Sequence, residues 1–254
     1  MKDFADLIKS LEVSPGEVAV FWLGQAGFVF KNSANRLVGL DLYLSDSCNK
    51  EFGFKRLMPF LLQPEEIIFD LLIASHAHYD HFDIEAMPEL LRNGRTVLVT
   101  AQDGRPLCDR LSLPSEQIRY IGLGDEFDFA GINIRALPCD HGTLAPDAVG
   151  IMLSIGDKRI YYTGDTAYRE DYWANPELKD LDLLILPING AYGNLNEAEA
   201  AETAVRINAR MTVPCHFWNF AEHGGDPMRF SKEIQQRTTD LPYTIMAMGE
   251  YIFI

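Results

Sequence analysis

The chain has 254 residues, with 22 Lys and Arg against 37 Asp and Glu, a formal charge of −15. Hydrophobic residues make up 47% and charged residues 23%, which excludes a disordered chain. The acid excess argues against nucleic acid and against an anionic membrane surface as partners, since both are held by clustered Lys and Arg.

No run approaches the roughly 18 apolar residues that span a bilayer. The start, Met1-Lys2-Asp3-Phe4-Ala5-Asp6, is acidic and does not read as a signal peptide. Cys48, Cys108, Cys139 and Cys215 are far apart and form no Cys-x-x-Cys pair, so free thiols in a reducing cytoplasm are expected. With no linker, repeat or low-complexity stretch, residues 1–254 are expected to form a single domain.

In chain order, strands are expected at Val18–Leu23, Gly27–Phe30 and Leu37–Leu42, divided by Gly24 and by Asn32-Ser33-Ala34-Asn35. Ser45–Pro64 has no clear period and reads as a long loop. Asp70–Ser75 reads as a buried strand, Ile84–Arg92 as a helix, Thr96–Thr100 as a strand and Gln102–Leu111 as a helix. Further strands are expected at Gln117–Ile121, Glu126–Phe129, Ile132–Leu137, Ala148–Ile155, Arg159–Tyr162, Leu181–Pro187 and Met211–Pro214. Helices are expected at Asn196–Ala209 and Pro227–Arg237, before a closing strand pair at Tyr243–Ala247 and Tyr251–Ile254. Sheet packed on sheet with helices outside is the layer arrangement these elements favour.

Three of the six histidines fall in one window, His76-Ala77-His78-Tyr79-Asp80-His81, directly after the apolar run Leu71-Leu72-Ile73-Ala74. Imidazoles and a carboxylate converging at a strand end suit Zn, Mn or Fe. His141, Asp165 and His216 each follow an expected strand, and Gly164 lets the chain turn before Asp165. Singly each is an ordinary polar residue; together with the cluster they form a pattern. Cys139 and Cys215 lie beside these positions. Cys215 would point to the opposite face from His216, and both thiols read as core.

This order of motifs resembles the five metal-binding motifs of the metallo-β-lactamase superfamily. The resemblance runs from about Trp22 to the C-terminus and implies a four-layer αβ/βα sandwich of mixed α/β class. Within the superfamily the chain looks like the L-ascorbate-6-phosphate lactonase branch. The resembling segments are Trp22-Leu23-Gly24-Gln25-Ala26-Gly27-Phe28, Asp41, Arg56 with Pro59-Phe60, His76–Asp83 and Val213–Pro227.

By that resemblance His76, His78 and His141 would hold one divalent ion and Asp80, His81 and His216 a second, with Asp165 bridging and Asp41 supporting the histidines. Two such ions, about 3.5–4 Å apart, lower the pKa of a shared water and polarise a carbonyl or phosphoryl oxygen. Seven N/O ligands do not single out Zn, and the lactonase resemblance favours Mn. The expected activity is attack of a metal-bound hydroxide on a small ester or lactone, possibly a phosphorylated sugar lactone, with Asp80 and His223 as catalytic candidates. His223 would contact substrate or protonate the leaving group. Arg56, beside Lys55, is the candidate for an anionic group on the substrate, and Asn189, Tyr192 and Trp218 are candidates for the pocket wall. The same metals could attack a small phosphodiester, a mono-iron oxidoreductase would carry a visible band, and a binding module would have kept the fold without the chemistry. Oligomeric state is not legible in the residues.

Overall fold

A computed structural model describes residues 4–254. Two mixed sheets pack face to face. The first holds β1 (Val18–Trp22), β2 (Phe28–Asn32), β3 (Leu37–Leu40), β4 (Leu71–Ala74), β5 (Val97–Ala101) and β6 (Ile118–Ile121). The second holds β7 (Glu126–Phe129), β8 (Ile132–Leu137), β9 (Gly150–Ile155), β10 (Lys158–Tyr162), β11 (Leu183–Pro187) and β12 (Thr212–Cys215). The last strand, β13 (Tyr251–Phe253), returns to pair antiparallel with β1, giving the orders β13-β1-β2-β3-β4-β5-β6 and β12-β11-β10-β9-β8-β7.

The layers follow from side-chain alternation. In β1, Val18, Val20 and Trp22 enter the core between the sheets, while Ala19 and Phe21 enter a second core on the outer face. In β4, Leu71 and Ile73 face inward and Leu72 and Ala74 outward. The outer face of the first sheet is covered by α1 (Phe4–Ser10), α3 (Met87–Leu91) and α4 (Arg105–Arg110), whose Ile8, Leu90 and Cys108 join its core. On the second sheet β11 is buried on both faces. There α6 (Glu197–Ile207) contributes Ala200, Ala201 and Ala204, and α7 (Pro227–Arg237) contributes Phe230 and Ile234. This is the expected four-layer αβ/βα sandwich.

Most differences from the sequence reading lie at element ends. Pro88 stands in the first turn of α3, which begins three residues later than expected. The Gln102–Leu111 helix opens with a tighter turn at Gln102–Gly104 before α4. Asn196 starts α6 with a capping box: its side chain accepts from Ala198 and Glu199 N–H, and Glu199 returns a bond to Asn196 N–H. Tyr243–Ala247 is corrected from a strand to irregular chain touching β12 through one bridge, Thr212 to Tyr243. Inside the expected long loop lies α2 (Ser47–Phe52), closed by Gly53 at φ 76°. The short helices α1 and α5 (Glu170–Trp173) had no expectation. Buried Lys31 fixes α1 by donating to the carbonyls of Ile8, Lys9 and Leu11 at 2.9, 2.7 and 2.8 Å.

Strand direction places the site. The runs β3-β4-β5-β6 and β10-β11-β12 are parallel. Two antiparallel pairings, β8 with β9 and β9 with β10, turn β8 the same way as β10. Asp41 follows β3, His76 follows β4, His141 follows β8, Asp165 follows β10 and His216 follows β12. All therefore emerge from carboxyl ends of strands, the end at which loops of α/β sheets carry ligands.

Candidate metal centre

The ligand-type atoms of His76, His78 and His141 lie within 4.8 Å of one another, as do those of His81, Asp165 and His216. His76 Nε2 is 3.0 Å, and His141 Nε2 3.3 Å, from His78 Nδ1. Asp165 Oδ2 reaches both groups, at 3.1 Å from His216 Nε2, 3.4 Å from His81 Nε2 and 4.0 Å from His141 Nε2. Asp80 Oδ2 is 3.5 Å from His216 Nε2 and 3.6 Å from His81 Nε2. The seven residues expected from the motifs are thus one contiguous cluster, with Asp165 in the central place.

Asp41 is fully buried beneath it. Its Oδ2 is 2.6 Å from His81 Nδ1, and it accepts from Ser75 N–H at 2.7 Å and Ser75 Oγ at 2.5 Å. Ser75 Oγ in turn is 3.0 Å from His76 Nδ1. One carboxylate therefore orients an imidazole in each group.

The backbone is bent to serve this geometry. Gln25, Asp41 and His216 have φ of 50°, 46° and 61°, a left-handed conformation that is uncommon for residues other than glycine. Gly164 cannot be replaced freely: a Cβ there would lie 2.9 Å from the Val149 carbonyl and 3.1 Å from Cys139 Sγ. Cys215 is buried in the core as expected, whereas Cys139 is half-buried and its thiol donates to the Asp165 carbonyl at 3.1 Å.

Electrostatics divides the histidines. Burial would lower His81, but the carboxylates of Asp165, Asp80 and Asp41 outweigh it and hold the ring well above its ordinary value. The same contest raises His216 to about 9. Burial, with crowding by the neighbouring histidines, lowers His76 well below its ordinary value and His141 to about 4. Burial opposes ionisation of Asp80 and Asp165, yet the adjacent imidazoles hold both well below the usual carboxylate range.

The donor set fits divalent metal. His81 Nε2 and Asp165 Oδ1 are buried without a hydrogen-bond partner. An imidazole nitrogen and a carboxylate oxygen left so at the centre of a His/Asp cluster are the groups a cation satisfies. No thiolate belongs to the set, which suits Zn or Mn equally.

Two contributors carry no label in the sequence. Gln25, in the turn after β1, donates its amide to Asp80 Oδ2 at 2.8 Å, and the same nitrogen lies 3.0 Å from His223 Nδ1 and 3.2 Å from His216 Nε2. Its backbone carbonyl accepts from the Trp22 indole at 3.0 Å and from His216 N–H at 2.9 Å, tying the first sheet to the end of β12. Asn194 donates to Asp165 Oδ2 at 2.7 Å and to Asn189 Oδ1 at 3.1 Å. The only sequence signal for Gln25 is its place in the Trp22–Phe28 segment.

A cavity of about 390 Å³ opens on the cluster. Tyr192 and His223 line it. Three expectations are corrected. Arg56 does not line the cavity: its guanidinium donates to Tyr43 O at 2.8 Å and Met58 O at 3.1 Å and lies over the Tyr43 and Phe60 rings. Trp218 is exposed on a shallow depression beside Leu57 and Gly225. Asn189 stands behind Asn194 rather than in the wall. His223 stacks on His216 at 5.0 Å, and burial with the neighbouring His216 charge lowers it to about 4.

Residues 48–217 match the β-lactamase superfamily domain. A protein of Archaeoglobus fulgidus named a metal-dependent hydrolase is 25% identical over 241 residues, covering 91% of this chain and 96% of its own. Another so named, from Carboxydothermus hydrogenoformans, is 28% identical over 185 residues, 66% of this chain and 79% of its own. The structure of Igni18, a metallo hydrolase of the archaeon Ignicoccus hospitalis, superposes with a TM-score of 0.73 at 20% identity, over 94% of this chain and 98% of that one. Fold, ligand-type cluster and family match agree, and the chain belongs to the metallo-β-lactamase superfamily.

Proposed function

We propose that this chain, a metal-dependent hydrolase of the metallo-β-lactamase superfamily, opens a small ester or lactone at the cavity floor. The observation that carries the reading is the seven-residue His/Asp cluster at the base of a cavity of about 390 Å³, with Asp165 between its two halves. His76, His78 and His141 would hold one divalent ion, and Asp80, His81 and His216 the other, with Asp165 shared. Bound there, Zn or Mn supplies Lewis acidity and makes water ionise near neutral pH.

The chain's own groups do the rest. Asp41 and Ser75 hold His81 and His76 in fixed orientation. Gln25 keeps the Asp80 carboxylate aimed, and Asn194 does the same for Asp165. Asp80, held ionised, can accept a hydrogen bond from the attacking water, but its low pKa makes it a weak base. His223, neutral at the cavity wall, is placed to exchange a hydrogen bond with substrate or water.

The lactonase resemblance supports a cyclic ester, while the phosphate of a phosphorylated sugar would find no Lys or Arg in the cavity lining among the described residues. Elemental analysis of protein purified without chelator, with turnover of a panel of lactones, esters and small phosphodiesters, tests the reading. About two Zn or Mn per chain with lactone or ester turnover supports it. Phosphodiester turnover alone, or no metal bound, overturns it.

A further inference from the structure

We propose that the outer half of the cavity is a subsite for an uncharged aromatic or bulky apolar group, so that the substrate is a neutral ester or lactone bearing a ring-sized apolar substituent; this deepens, and rests on, the hydrolase reading above. Beside the His/Asp cluster the cavity is lined by Cys48, Phe52, Phe54, Tyr79, Leu144 and Tyr192. Among the described residues no Lys or Arg lines the cavity. Phe52, Leu144 and Tyr192 are 57%, 54% and 46% exposed, although large apolar side chains this close together gain by being covered.

The rings form a continuous surface. Phe52 lies 5.3 Å from Tyr79, and Phe54 lies 5.9 Å from Tyr192 and 5.5 Å from His223, measured between centroids. Tyr43, Cys48 and Phe220 make a small buried cluster against which Phe54 and Tyr79 pack, so the wall is braced from within. Tyr79 itself stands between ligand-type residues His78 and Asp80. An apolar group on this wall would hold its reacting carbonyl beside the His/Asp cluster, as pockets with few polar groups orient their ligands.

Among the described residues the nearby cations stand outside the cavity lining, exposed Lys55 included. Arg56 is bound to backbone carbonyls, Lys50 pairs with Glu85 at 2.8 Å, and Arg110 donates to the Tyr79 hydroxyl at 3.1 Å without lining the cavity. An anionic substituent placed among these rings would lose its hydration and gain no counter-charge.

Calorimetry on metal-loaded protein with hydrolytically inert amides tests this, using phenylacetamide, acetamide and a sugar-acid amide carrying a phosphate. Turnover of phenyl acetate, methyl acetate and a phosphorylated sugar lactone is followed in parallel. The expected result is phenylacetamide binding at least roughly tenfold tighter than acetamide, the increment burial of a ring brings. Phe52→Ala, at an exposed position whose loss leaves the fold intact, should close much of that gap without weakening acetamide. Equal binding of the two amides, or tighter binding of the phosphorylated amide, overturns the subsite. Ring preference without turnover of any ester leaves the subsite standing and removes the ester and lactone reading. Ester turnover with no ring preference does the reverse.

Discussion

Asp41 Oδ2 lies 2.6 Å from His81 Nδ1, with both side chains fully buried. The contact fixes which imidazole nitrogen faces the cluster, and the same carboxylate reaches His76 through Ser75. Asp41→Asn should therefore weaken metal binding by about 10–100-fold while leaving the ligands in place. Competition titration against a chromophoric chelator measures it; unchanged affinity would show that Asp41 is only a buried structural acid.

Asp165 and His76 should behave differently on removal. Asp165 Oδ2 is within 4.0 Å of nitrogens from both groups, whereas His76 belongs to one side. Asp165→Asn should cost both ions, and His76→Ala chiefly one. Metal content per chain by elemental mass spectrometry separates the two; two retained ions in the Asp165 variant would remove its central role.

Arg56→Ala should act on stability rather than on substrate selection. Its guanidinium stitches the segment after α2 to Tyr43 O and stacks over two rings, interactions together worth about 1–3 kcal/mol. The unfolding midpoint should fall, and KM for charged and neutral substrates should change alike. A selective rise for phosphorylated substrates would restore Arg56 to anion binding.

The metal-free protein should be most stable near pH 6.5. His141 and His223, lowered to about 4, are neutral in the fold, so the unfolded chain binds protons first as pH falls from 6.5. Each costs up to about 3 kcal/mol by pH 4. His216, raised to about 9, stabilises the fold fully below pH 6.5, and that contribution is lost as pH rises to 9. Urea unfolding of chelator-treated protein across this range should trace a maximum; a flat profile would mean that the three rings titrate as they do unfolded.

How far the sequence could be read depended on what kind of residue carried the information. His76, His78, Asp80 and His81 advertise themselves by residue type and spacing, and strand ends located His141, Asp165 and His216. Gln25 and Asn194 were not legible, because a neutral amide becomes significant only when folding sets it 2.8 or 2.7 Å from a particular carboxylate. Arg56 was legible as a cation but not in its direction: its partners are backbone carbonyls at Tyr43 and Met58, and a main-chain acceptor leaves no mark on the sequence. The helices α1, α2 and α5 span only one or two turns and are held by tertiary contacts such as the Lys31 clamp. Most β-strands, by contrast, announced themselves as short apolar runs bounded by turn residues, the exception being Tyr243–Ala247.

The cluster draws His76, His78 and His81 from the edge of one sheet and His141, Asp165 and His216 from the other. An ion gripped by both acts as a bolt across the sandwich, and neither half can melt without releasing it. Loaded protein should then unfold as one cooperative unit, with a midpoint that climbs with free metal concentration, so that depletion of the ion would loosen the whole sandwich along with its chemistry.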